Sequence, residues 1–243
     1  MSSQTDTSGS SMRPVERLIF PLDLPDWSQA SAMAKKLGGH VGWFKVGLEL
    51  FIAEGPSVVG RLRQLAPETK IFLDLKLHDI PATVGLAMAA ASKLGADLIT
   101  VHAQGGEAML KAAVDQAGET SVLAVTVLTS LNPAELSELD EKHRRPGRLV
   151  QTLAGRALAA GCYGLVASGR EVAMLRAEFG SRPRLVIPGI RPAWAQVSGD
   201  DQKRTATPAE AVRDGADYLV IGRPIRDAVD PVEAADRIVE ELS

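Results

Sequence analysis

From Leu18 onward, short apolar runs rich in β-branched and aromatic side chains alternate with longer runs that are Ala-rich or apolar at helical spacing. Short apolar runs bounded by polar or turn residues read as buried strands, and the longer periodic runs read as helices. The pattern predicts strands at "LIFPLD" 18–23, "GWFKV" 42–46, "KIFLDLK" 70–76, "DLITVH" 97–102, "SVLAVTVL" 121–128, "YGLVAS" 163–168, "RLVIPG" 184–189 and "DYLVIG" 217–222. Helices are predicted between them, including "SQASAMAKKLG" from Ser28, "TVGLAMAAASKLG" from Thr83 and "RLVQTLAGRALAAG" from Arg148, each ending in the Gly that suits a helix C-terminus. One helix-to-strand junction occurs twice, as "LGADLIT" and "DGADYLV". Eight strand–helix units in this length predict a single-domain (β/α)8 barrel over residues 15–243 rather than a doubly wound sheet. Pro21 is out of place in a central strand, which makes the first strand the weakest of the eight.

Composition agrees with one globular unit. A chain of 243 residues with 45% hydrophobic content can bury a sizeable core. The net charge is −3 and Lys and Arg are scattered, so nothing suggests a nucleic-acid surface. No apolar run approaches the roughly 20 residues that span a bilayer, so membrane binding is not expected. Cys162 is the only cysteine, which excludes an internal disulfide and suits a reducing cytoplasm. The Ser- and Thr-rich start, residues 1–14, has neither a basic opening nor an apolar centre and reads as a disordered tail rather than a secretory signal.

In such a barrel the site forms at the C-terminal ends of the strands. Polar groups collect there: Asp23, Lys45, Asp74 with Lys76, His102, Thr129 just past the fifth strand, and Gly222 with Arg223. Asp74 and Lys76 are two apart and share a face, so both can point into the barrel mouth while Leu73 and Leu75 face the helices. Asp79 stands just before Ile80–Pro81, beyond the strand, and belongs to a loop. With Lys45 from the neighbouring strand, the charges can alternate as Lys45, Asp74, Lys76, Asp79. A salt-bridge network that only closes the barrel top would have the same composition, but burying several charges is costly and is characteristic of active sites. His78 and His102 read as hydrogen-bonded structural residues, and four histidines without a close carboxylate partner give no zinc pattern.

A second cluster, "VIPGIRP" with "YLVIGRPI", puts Gly189 and Gly222 at strand ends beside Arg191 and Arg223. That matches the phosphate site often built after the seventh and eighth strands, although ordinary turns with surface arginines would look the same segment by segment.

The segment "DLKLHDIPATV" resembles the D-x-K-x-x-D-I-P signature of the orotidine 5′-monophosphate decarboxylase family of bacterial type. "FKVG", "VTVLTS", "PGIRP", "GDDQKR" and "VIGRPI" follow in that family's order, from about Leu18 to Pro231. The resemblance implies a barrel that converts orotidine 5′-monophosphate (OMP) to UMP and CO2 in pyrimidine biosynthesis, without metal or organic cofactor. It also implies a homodimer with shared sites. It makes Lys76 the catalytic acid, with Lys45, Asp74 and Asp79 completing the charged array and Asp79 reaching into the other subunit's site. Asp23 and Lys45 would bind the ribose, with Thr83 from across the interface. Thr129 and Gln202 would meet the pyrimidine; Gln202, Gly222 and Arg223 would hold phosphate, and Arg191 would lie in the same region. Closure of the segment between Ile190 and Arg204 over the nucleotide is expected. Two alternatives stay open: a magnesium-dependent sugar-phosphate decarboxylase or aldolase on the same barrel, and a catalytically silent nucleotide-binding barrel.

Overall fold

The structure is a computed structural model that describes residues 12–130, 146–195 and 206–242. All eight expected strands are present: β1 Leu18–Pro21, β2 Trp43–Val46, β3 Lys70–Leu77, β4 Leu98–His102, β5 Ser121–Val125, β6 Gly164–Val166, β7 Arg184–Pro188 and β8 Tyr218–Val220. Each pairs in parallel with its sequence neighbours, and β8 pairs with β1 to close the barrel. The predicted helical runs form Trp27–Leu37, Pro81–Ser92 and Pro146–Ala159 around it. None of the described helices is long and apolar enough to cross a membrane.

Pro21 does end β1. It sits opposite Lys45 of β2, whereas the pairing of β1 with β8 stops at Ile19 and Val220. The neighbouring amides divide between the two partner strands: Leu22 N–H donates to Lys45 O, and Ile221 N–H donates to Ile19 O. By alternation the missing donor of Pro21 faces β8 beyond its last paired residue, where the ladder loses nothing.

Alternation divides each strand between two cores. Outward residues such as Leu18, Phe44, Leu73, Ile99 and Leu219 pack against the helices. Inward residues near the strand starts, Ile19, Trp43, Phe72, Leu98, Leu123, Val186 and Tyr218, make a separate apolar plug inside the barrel. Trp43 and Tyr218 meet edge to face, 5.3 Å between ring centroids. Two positions further along six of the strands, Pro21, Lys45, Asp74, Val125, Pro188 and Val220 line the cavity above this plug, joined by Val166 of β6. The plug is thus the floor of the site.

The repeated Gly-Ala-Asp junction makes the same clasp twice. Asp97 N–H donates to Ile71 O, and its carboxylate accepts from Ile71 N–H and from Arg63, both at 2.7 Å. Asp217 does the same one half-barrel later: its N–H donates to Leu185 O, and its carboxylate accepts from Leu185 N–H at 2.8 Å, from Arg184 and from Arg176. Residues 1–11 of the expected tail lie outside the described residues. Met12 packs against the inner plug, Pro14 opens the helix Pro14–Arg17, and Trp43 Nε1 donates to Glu16 O.

Candidate active site

A cavity of about 410 Å³ opens at the C-terminal ends of the strands. One wall is a line of alternating charges. Asp23 Oδ1 lies 3.0 Å from Lys45 Nζ, which lies 3.5 Å from Asp74 Oδ2, and Lys76 Nζ sits 2.8 Å from both oxygens of Asp74. Asp74 and Lys45 are each only 8% exposed, so these charges are held largely out of water. Burial would push the Lys45 ammonium down, but the carboxylates of Asp74 and Asp23 outweigh it and raise its proton affinity above that of an ordinary lysine. Burial likewise opposes ionisation of Asp74, and Lys45, Lys76 and a hydrogen bond from Thr100 reverse that, leaving its carboxyl below the usual range. Both therefore stay charged.

Strand parity puts Asp74 and Lys76 on one side as expected, but not through a regular ladder. Leu73 pairs with Ile99 and Leu77 with Val101, so three residues of β3 face Thr100 alone. The surplus is two residues, and an even surplus preserves the inward and outward sides; a surplus of one would have turned Lys76 outward. Within the bulge Lys76 has φ 50°, the only positive value among described residues other than glycine. Such a conformation costs about 1–3 kcal/mol and needs support from its surroundings. Thr100, fully buried, gives that support: its Oγ1 accepts from Lys76 N–H at 2.9 Å and donates to Asp74 Oδ1 at 2.8 Å.

The opposite wall carries cations and turns. Gly189, Arg191, Gly222 and Arg223 line the cavity, and Gly189 has φ 75°, a region open to glycine but strained for other residues. Arg226, three residues after Arg223 on the short helix Arg223–Arg226, lines it too and is held by Asp227 through bonds of 2.7 and 3.1 Å. Between the charged walls lie Val125, Val127, Leu128 and Val166, with Thr129 at the rim. The cavity can therefore take a flat, partly apolar group between a cationic corner and a charged array.

Of the residues expected in the site, Asp23, Lys45, Asp74, Lys76, Thr129, Arg191, Gly222 and Arg223 come together here. Asp79 and Thr83 do not; both are exposed, and Asp79 Oδ1 accepts from Ile80 N–H at 2.6 Å instead of reaching Lys76 of its own chain. Gln202 and most of the segment expected to close lie outside the described residues. The expectation that His78 and His102 are hydrogen-bonded needs correction. Among the described residues neither ring has a hydrogen-bond partner; the two pack tilted against each other at 41°, centroids 5.3 Å apart, and burial, His78 and Lys76 together keep His102 below the usual histidine range. Sequence reasoning missed Thr100 and Arg226. The signals were an inward-facing polar residue inside "DLITVH" and an Arg at helical spacing from Arg223.

Residues 16–238 match the model of the "Orotidine 5′-phosphate decarboxylase / HUMPS family". The chain is 51% identical over 232 residues to an orotidine 5′-phosphate decarboxylase from Anaeromyxobacter sp. (strain K), covering 95% of this chain and 100% of the relative. It is 48% identical to the protein of that name from Methylococcus capsulatus, over 93% of this chain and 92% of the relative. The crystal structure of orotidine 5′-phosphate decarboxylase from Lactobacillus acidophilus superposes with a TM-score of 0.80 at 38% identity, over 93% of this chain and 98% of that one. With the charged array, the cationic corner and the barrel all in place, the chain belongs to the orotidine 5′-phosphate decarboxylase family.

Proposed function

We propose that this protein decarboxylates OMP to UMP in pyrimidine biosynthesis in the cytoplasm, with no metal or organic cofactor. The observation that carries the reading is the Lys76 ammonium, gripped at 2.8 Å by both oxygens of Asp74 and backed by Lys45 inside the cavity. Loss of CO2 from C6 leaves an electron pair in the plane of the pyrimidine, where the ring cannot delocalise it. A cation fixed beside that carbon before the reaction stabilises the charge with little reorganisation, and the same ammonium then delivers the proton. The phosphate would occupy the corner of Gly189, Arg191, Gly222 and Arg223, the ribose would lie against Asp23 and Lys45, and the pyrimidine against the valine wall and Thr129. Binding energy collected at the phosphate, far from C6, would hold the ring in register.

A homodimer with shared sites is part of the proposal. Asp79 and Thr83 are exposed and do not line the cavity, and exposed Leu48, Ile52, Ile80 and Leu86 lie in segments that follow β2 and β3. Pairing on this side would cover that apolar surface and bring Asp79 to the other subunit's Lys76.

The direct test is loss of OMP absorbance with wild-type protein and with Lys76→Ala. Turnover is expected in the wild type with a chelator present, and the substitution should lower kcat by at least about 10³-fold. UMP affinity, measured by calorimetry, should change little. Near-normal turnover by Lys76→Ala, or abolition of wild-type activity by the chelator, counts against the reading.

A further inference from the structure

Every strand but β4 lends the candidate site a polar, proline or apolar group; β4 contributes a polar side chain that does not line the cavity. Thr100 lies behind Asp74, fully buried, two positions above Leu98 of the inner plug. It is the one residue of β4 that faces the bulged stretch Asp74–Leu75–Lys76. In a regular parallel ladder, backbone carbonyls of the next strand would take the amides of such a stretch. Here the hydroxyl of Thr100 accepts a hydrogen bond from the Lys76 amide and donates one to Asp74 Oδ1.

Those two bonds tie together the features that aim the ammonium. One supports the positive φ of Lys76, which sets where its side chain leaves the strand. The other fixes one oxygen of the carboxylate that grips Lys76 Nζ from both sides. A threonine is suited to this place because its γ-methyl fills apolar space while its hydroxyl offers one donor and an acceptor lone pair together. We infer that Thr100 is a positioning residue for decarboxylation, holding the Lys76 backbone and the Asp74 carboxylate in one arrangement without touching the substrate. The inference rests on the activity proposed above.

Thr100→Val keeps the shape of the side chain and removes both hydrogen bonds; Thr100→Ser keeps the hydroxyl and removes the methyl. Misplacing a reacting group by about 1 Å can cost on the order of 10²-fold, so Thr100→Val should lower kcat by about 10- to 100-fold. The Km for OMP and the Kd for UMP, which depend on the phosphate corner, should stay within about threefold. Thr100→Ser should recover kcat to within about threefold of wild type, since it keeps both hydrogen bonds and loses only the methyl. If Thr100→Val does not fold, Thr100→Ala set against Thr100→Ser makes the same comparison. Wild-type kcat in Thr100→Val, or an equal loss of kcat in the serine variant, overturns the inference while the activity stands. A wild-type protein that leaves OMP unchanged overturns the activity itself, a separate result.

Discussion

At the scale of single residues, the site depends on places where no side chain fits as much as on charges. A Cβ on Gly47 would lie 2.9 Å from Asp23 Oδ1 and 3.0 Å from Lys45 Nζ. Both atoms end flexible side chains, so they can swing aside without disturbing the core, and the cost falls on their positions. Gly47→Ala should therefore lower kcat/Km for OMP by about 10- to 100-fold while the midpoint of thermal unfolding hardly moves. A large fall in the midpoint with kcat/Km unchanged would mean that Gly47 serves folding alone. Most charged residues of the site were legible in the sequence because each stands at the end of an apolar strand, where a charge has no structural reason to be. Gly47 appeared there only as part of "FKVG", since its role depends on where two other side chains end in space. Thr100 was legible in principle, as a polar residue on the inward parity of β4, but in sequence it looks like any β-branched strand residue.

At the scale of elements, all eight strands were legible, but their ends were not. β5 was expected to reach Leu128 and stops at Val125. There Thr126 gives both its N–H, at 3.1 Å, and its hydroxyl, at 3.2 Å, to the carbonyl of Val166, and the strand goes no further. The bulge in β3 was hidden because a register is a property of two strands, and the spacing of Leu73, Leu77, Ile99 and Val101 says nothing until they are paired. The Gly-Ala-Asp repeat was visible as a motif, and the structure gives it a purpose: each Asp stitches the start of its own strand to the start of the preceding one. The two clasps are not equal, since Asp217 pairs with Arg176 and Arg184 and Asp97 with Arg63. Asp217→Ala should lower the unfolding free energy by about 2–3 kcal/mol in denaturant titration, and Asp97→Ala by less. Both lie at the strand starts, far from the cavity, so kcat per folded molecule should stay near wild type; a selective loss of kcat would contradict that separation.

At the scale of the whole molecule, the barrel followed from counting strand–helix units, whereas the proposed pairing of two barrels had no source in the pattern and rests on family resemblance and on Asp79 lying outside the cavity lining of its own chain. Mixing subunits separates the two arrangements. If Asp79 serves the neighbouring site, Lys76→Ala and Asp79→Ala proteins, each nearly inactive, should regain about one quarter of wild-type activity when unfolded together and refolded. In a random mixture half the dimers carry both variants, and each of those has one intact site. No recovery, with mixed dimers demonstrated by mass spectrometry, would place Asp79 in its own subunit's chemistry. The N-terminal stretch was the least legible part, because "MRPVER" is polar and unpatterned, yet Met12 packs against the inner plug and Glu16 O takes the indole N–H of Trp43. That contact puts the first described residues at the pole of the barrel opposite the cavity. A carrier protein or a surface attached ahead of Met12 would thus stand behind the molecule, and an immobilised form should keep its mouth open to solvent and turn over at the rate of the free protein.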